Sequence, residues 1–174
     1  MAWQSRYKLV KQTAPLWLLW AAGLSGLMLV IAHAFETFGH LPPCELCLAQ
    51  REGYWTDLYA GLIGYGVARW RVSLSRLLLG LVALVFAVET VMAAYHAGVE
   101  WTWWPGPVAC TGGHAAVTAA QMSALVSGAK VHMVRCDQAA WRLLGLSMAG
   151  WNALAALALT IATLVALRRV KRPR

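Results

Sequence analysis

Charge-free apolar runs alternate with short basic segments along this chain of 174 residues. Thr13 to Phe35 holds no Asp, Glu, Lys or Arg, and neither does Leu143 to Leu167. Each is long enough for a bilayer, whose hydrocarbon core takes ~20 apolar residues of helix. Two further runs are interrupted: Leu46 to Val67 by Arg51, Glu52 and Asp57, and Leu77 to His96 by Glu89. Taking all four as spans predicts helices over 14–35, 46–67, 77–96 and 145–167, with a polar outer loop over 97–142. The expected fold is an all-α membrane protein, a four-transmembrane-helix bundle whose long outer loop joins spans three and four. Residues 1–174 are expected to form a single membrane domain. The first run exceeds the ~7–15 residues of a signal-peptide core, and no small-residue cleavage site follows it, so it is expected to stay as a span.

Composition agrees: 60% of residues are hydrophobic and the mean hydropathy is +0.56, too apolar for an ordinary soluble domain. The net charge of +8 matters through its distribution. Arg6, Lys8 and Lys11 precede span one, and Arg69, Arg71 and Arg76 lie between spans two and three. Arg168, Arg169, Lys171, Arg172 and Arg174 follow span four, so eleven of the fifteen basic residues share one side. The positive-inside rule makes that side cytoplasmic, with both termini in. Topology thus accounts for charge that would otherwise suggest nucleic acid, and no nucleic-acid partner is expected. All four cysteines then fall on or beside the opposite face, outside the cytosol, where disulfides persist.

Pro42 and Pro43 suit entry into a helix, where missing N–H groups cost little. Cys44 therefore falls at the N-cap or first turn of span two. Cys44, Cys47 and Arg51 stand at i, i+3 and i+7, on one helical stripe. Gly61, Gly64 and Gly66 allow close helix approach further down. Arg69–Arg76 is long enough only for a turn. Trp101, Trp103 and Trp104 at the start of the outer loop suit a membrane–water interface. Cys110 precedes Gly112-Gly113 in a loop that a soluble protein can reach, and Val117 to Val131 carries a weak apolar face for lying on the bilayer. Cys136 follows, and Trp141-Arg142-Leu143-Leu144 leads into span four.

A Cys-X-X-Cys at a helix start is redox-capable, because the helix N-terminus and nearby cations stabilise thiolate. A second pair on the same membrane face lets electrons pass between pairs by thiol–disulfide exchange. Two other readings are a structural disulfide and half of a zinc site. Cys110 and Cys136 lack the paired spacing of common zinc ribbons, and no metal site is expected. Arg51 has two readings as well: a side chain snorkelling to the interface, or a functional cation within an apolar helix. His96 is either an interfacial histidine or an acceptor-site residue. Asp57 and Glu89 either pair with Arg51 or mark imperfect span boundaries. His33, His40, His114 and His132 show no metal-ligand spacing.

Taken together, these residues resemble the bacterial disulfide bond formation protein B (DsbB) family over nearly the whole chain. The resemblance rests on Pro43, Cys44, Cys47 and Arg51, on four spans in that order, and on Pro105-Gly106-Pro107-Val108-Ala109-Cys110. It also rests on Cys136 followed by Trp141 through Met148. The acidic residues within the second and third spans depart from the family's pattern. The resemblance implies a quinone-linked thiol oxidoreductase, a protein dithiol:quinone oxidoreductase of the bacterial inner membrane. It would reoxidise a periplasmic thioredoxin-fold (DsbA-like) thiol oxidase and pass two electrons to the membrane quinone pool, as ubiquinone or menaquinone. By position, Cys110 would be attacked by the partner, and Cys136 would leave and then attack Cys44. Cys47 would become the thiolate facing the quinone, held by Arg51 and His96. A vitamin K epoxide reductase-like enzyme would place its loop cysteines before the Cys-X-X-Cys, the reverse of the order here. A scaffold with two structural disulfides would account for the cysteines' side but not for Arg51 on their stripe.

The charge bias generates a topology test. Ser5→Cys and Ser73→Cys, introduced singly into cysteine-free protein, should resist a membrane-impermeant maleimide added outside intact spheroplasts, whereas Ser127→Cys should react. Labelling at the first two positions would overturn the orientation.

Overall fold

The computed structural model of the protein describes residues 2–111, 122–123, 126–128 and 134–170, with side chains from Thr13 onward. Four long helices dominate: α1 (Ala2–Thr37), α2 (Glu45–Trp70), α3 (Ser75–Glu100) and α5 (Met148–Arg169). A 3₁₀ turn, Val72–Leu74, joins α2 to α3. Beyond α3 come a short helix α4 (Val108–Thr111) and a two-stranded antiparallel hairpin, β1 (Arg142–Leu143) with β2 (Leu146–Ser147). The expected surface helix over 117–131, Gly112-Gly113, His114 and His132 lie outside the described residues, apart from residues 122–123 and 126–128.

Among the described residues three helical stretches are long and apolar enough to cross a membrane: Thr13–Thr37, Val72–Glu100 and Met148–Arg169. The chain is a mostly helical membrane protein. The helix α2 matches them in length, at 26 residues, but carries Glu45, Arg51, Glu52, Asp57 and Arg69. Two helix ends bear on how the outer loop is joined to the bundle. The third helix runs through Ala97–Glu100, past the expected stop at His96, before Trp101 caps it. The last helix starts at Met148, not 145, because Leu144 (φ 53°) and Gly145 (φ 83°) turn the hairpin and Ser147 caps the helix. Left-handed φ at both central residues of a two-residue loop suits the twist of a hairpin, and glycine takes it at no steric cost.

Small residues set the helix spacing. A Cβ on Gly61 would lie 2.7 Å from the Leu18 carbonyl oxygen and 2.9 Å from the Ala22 methyl, so α1 and α2 meet there in backbone contact. A Cβ on Gly64 would meet the Leu18 side chain at 3.4 Å, while one on Gly66 would meet nothing within 4 Å, so Gly66 takes no part, contrary to the expectation for all three glycines. The core around this seam includes Leu18, Tyr54, Leu79, Val82 and Phe86. Hydroxyls tie the helices laterally, with Thr90 Oγ1 3.2 Å from Thr160 Oγ1 and Trp17 Nε1 donating to Thr163 Oγ1 at 3.2 Å. At the basic end, Arg76 donates to the Val170 carbonyl and joins α3 to the end of α5. Leu16, Trp20, Leu27, Val30, Ile63 and Val91 are exposed around the bundle, an apolar surface suited to lipid.

Gly61→Leu should destabilise the protein by about 1–3 kcal/mol through overpacking, read as a lowered melting temperature in detergent. Gly66→Leu should leave it unchanged or raise it slightly, since Leu is the better helix former. Equal effects at the two positions would contradict the seam.

Candidate active site

The start of α2 is built by its own cysteine. Cys44 has extended backbone (φ −80°, ψ 171°), and its sulfur accepts the Cys47 N–H at 3.2 Å, closing the first turn as an N-cap. The preceding Pro42-Pro43 enforces the extended entry. The two sulfurs stand 2.7 Å apart. The hydrogen bond to Cys47 and burial together push the Cys44 thiol well above the usual cysteine range.

From there a polar stripe descends the inner face of α2. Gln50, Tyr54 and Asp57 follow Cys47 at i+3, i+7 and i+10, and all three are buried. Gln50 Nε2 meets His96 Nδ1 at 3.0 Å, Asn152 Nδ2 donates to Gln50 Oε1 at 2.7 Å, and Tyr54 OH donates to Asn152 Oδ1 at 2.5 Å. His96 turns its other nitrogen, Nε2, to the Cys44 sulfur at 3.7 Å and to Glu100 Oε1 at 3.8 Å. Deeper still, Asp57 and Glu89 are fully buried. Neither Asp57 oxygen has a hydrogen-bond partner, and Glu89 packs into the space left by Gly53.

The loop pair sits directly against the helix pair. Cys110 and Cys136 form a disulfide with Cα atoms 5.4 Å apart, and the Cys136 N–H donates to the Cys110 carbonyl at 3.0 Å. Both join Cys44 and Val99 in one buried apolar cluster, with Leu46, Cys47 and Val134 packed around it. Cys136 Sγ, Cys44 Sγ and a His96 ring nitrogen all lie within 4.8 Å of one another. A thiolate–imidazole metal site would need Cys136 as a free thiolate. With its sulfur bonded to Cys110, the trio has the arrangement of an exchange site. Cys110 is only 4% exposed, packed with Val99, Cys44 and Cys136 instead of being presented to a soluble protein as expected.

Beside the cysteines opens a cavity of about 400 Å³, lined by Cys44, Cys47, Gln50, Arg51, Tyr54, His96 and Asn152 and otherwise mostly by apolar side chains of α1 and α5. The hairpin and Trp141 roof it: Trp141 packs on Phe35 at 5.2 Å between ring centroids, and Trp151 Nε1 donates to the Leu143 carbonyl at 3.1 Å. Arg51 does not reach Asp57 or Glu89. It pairs with Glu36 at the end of α1 and donates to the Ala32 carbonyl at 3.2 Å, which leaves donors for a ligand in the cavity. All six residues singled out in the sequence therefore converge on one end of the bundle. Sequence reading missed Glu36, Gln50, Tyr54 and Asn152. Gln50 and Tyr54 were findable as the continuation of the cysteine stripe, and Asn152 as a lone amide in a charge-free run.

Residues 13–166 match the family model for disulfide bond formation protein DsbB. The chain is 31% identical to disulfide bond formation protein B of Dechloromonas aromatica (strain RCB) over 153 aligned residues, covering 76% of this chain and 79% of the relative. No solved structure matches.

The closeness of the two pairs predicts a cross-link. With Cys47→Ser and Cys110→Ser combined, mild oxidation should join Cys44 to Cys136 within the monomer, seen by non-reducing peptide mapping. Recovery of both as free thiols, or only as intermolecular dimers, would contradict the 4.8 Å geometry.

Proposed function

The chain belongs to the DsbB family of disulfide bond formation proteins, and is thus a membrane oxidoreductase of disulfide formation; on that footing we propose that it oxidises a thioredoxin-fold dithiol partner and delivers the two electrons to a membrane quinone. The observation that carries this reading is the convergence of Cys136 on Cys44 beside a cavity lined by Cys47 and Arg51. The setting is a single bacterial inner-membrane domain with α2 as its fourth span, both termini cytoplasmic and the cysteines on the periplasmic side.

The route runs through four sulfurs. A partner thiolate attacks Cys110 and forms a mixed disulfide, and Cys136 leaves with the bonding electron pair. Cys136 attacks Cys44 of a Cys44–Cys47 disulfide, and Cys47 leaves as thiolate. The partner's second thiolate releases its own disulfide and frees Cys110. Cys110 then attacks Cys136, restoring the loop disulfide and expelling Cys44. The helix pair now holds the two electrons, and a quinone in the cavity is the acceptor that takes them on. Burial of Cys110 means that the α4 segment moves before the partner engages.

A quinone fits the residues present. The cavity is apolar, opens beside Cys47, and offers Arg51 as a forked donor for a ring carbonyl, with His96 at the cysteine end. Arg51 keeps its place through Glu36 and Ala32, which fixes the direction of the fork.

Three substitutions test the order. Cys136→Ser should accumulate a Cys110–partner disulfide, because the resolving thiol is gone. Cys47→Ser should abolish quinone reduction while still allowing that disulfide to form. Arg51→Lys should raise the KM for quinone about tenfold, the scale of one charged hydrogen bond, with partner oxidation in a single turnover largely intact. A partner linked to Cys47 in otherwise wild-type protein, or an unchanged quinone dependence in Arg51→Lys, would contradict the reading.

A further inference from the structure

Four side chains on three helices, none of them cysteine, form one hydrogen-bonded chain that ends on the Cys44 sulfur: Tyr54, Asn152, Gln50 and His96. The chain has a direction. The Tyr54 hydroxyl gives its one proton to Asn152 Oδ1, so Asn152 presents its amide nitrogen to Gln50. Gln50 receives that bond on its oxygen and presents its own amide nitrogen to His96 Nδ1. An amide nitrogen only donates, so Nδ1 must offer a lone pair, and a neutral imidazole then carries its single proton on Nε2. The opposite side of the ring has acceptors for that proton. Nε2 faces the Cys44 sulfur at 3.7 Å and a Glu100 carboxyl oxygen at 3.8 Å, either of which can take its N–H.

We infer that Tyr54, Asn152 and Gln50 are positioning residues that lock His96 in the Nε2–H tautomer, making it a fixed hydrogen-bond donor to the Cys44 sulfur. Its use lies at the step where Cys44 is expelled. As Cys110 attacks Cys136, a Cys110–Cys136 bond forms and the Cys44–Cys136 bond breaks. The negative charge passes from the Cys110 sulfur to the Cys44 sulfur, and no proton is gained or lost. The new thiolate sits in a buried cluster, where an unpaired charge is costly. Two N–H groups meet it there: the Cys47 backbone at 3.2 Å and His96 Nε2. With the other tautomer, Nε2 would turn a lone pair towards the thiolate and repel it. The kinetic consequence rests on the electron route proposed above; the tautomer does not.

The test uses the full-length reduced protein in detergent, labelled with ¹⁵N-histidine, with the His96 signals assigned by their loss in His96→Ala. Protonated and unprotonated ring nitrogens resonate far apart, so the tautomer is read directly. Wild type should show Nε2 protonated and Nδ1 bare. Gln50→Glu places an acceptor at Nδ1 and should move the proton there. Should that variant fold poorly, Tyr54→Phe and Asn152→Leu serve in its place and should yield a mixture of tautomers. In quinone turnover Tyr54→Phe should lower kcat about fivefold, the scale of one neutral hydrogen bond. A wild-type His96 protonated on Nδ1, a tautomer indifferent to these substitutions, or an unchanged kcat in Tyr54→Phe would overturn the inference. Absence of quinone turnover in wild type would instead overturn the proposed function and leave the tautomer to be decided by the spectra.

Discussion

The hydrogen bond from the Cys47 N–H to the Cys44 sulfur is the contact on which the rest of the site depends. Most helices are capped by an oxygen of Ser, Thr, Asp or Asn. Here a redox-active sulfur takes that place, so the helix start and the chemistry are one feature. The cap fixes where α2 begins, and the helical repeat then fixes what faces inward at each turn: Cys47, Gln50, Tyr54, Asp57 and finally Gly61 against α1. A shift of one residue at the cap would rotate the whole stripe by about 100° and carry Gln50 off His96.

That stripe also explains the division of labour among the helices. Among the described residues three are apolar enough to cross a membrane by composition alone, while α2 carries charged groups and the polar stripe below Cys47. Polar groups in such surroundings are costly unless they are partnered. Most are partnered here: Arg51 with Glu36, Gln50 with His96 and Asn152, Tyr54 with Asn152. Asp57 and Glu89 stand apart, buried two to three turns below the cysteines, with both Asp57 oxygens and Glu89 Oε2 bonded to nothing among the described residues. Nothing in the structure explains them.

Local features were legible in the chain and distant pairings were not. Pro42-Pro43-Cys44 announced the helix start, and the spacing of Cys44, Cys47 and Arg51 announced a shared face, because both follow from helical geometry over a few residues. The charge-free runs gave α1 and α5 for the same reason. The hairpin at Leu144-Gly145 was absorbed into the last span, since its residues are as apolar as the helix they precede. Partners that meet only on folding left no local trace: Asn152 reaches Gln50 across 102 positions, and Cys136 reaches Cys44 through a loop whose path no periodicity describes. Arg51 illustrates the limit well. Its stripe was readable, but its partner Glu36 lies on the preceding helix, beyond the turn, and not among the deeper acids.

The central claim is that electrons cross from the loop pair to the helix pair through the Cys136–Cys44 contact before they reach a quinone. An acid-quenched time course on the wild-type protein tests it most directly, with reduced dithiol partner added to quinone-loaded enzyme and each time point mapped for disulfides by mass spectrometry. The account predicts that a Cys44–Cys136 disulfide rises and decays, and that quinone absorbance falls only after it appears. Full quinone reduction with no Cys44–Cys136 linkage at any time point would contradict it.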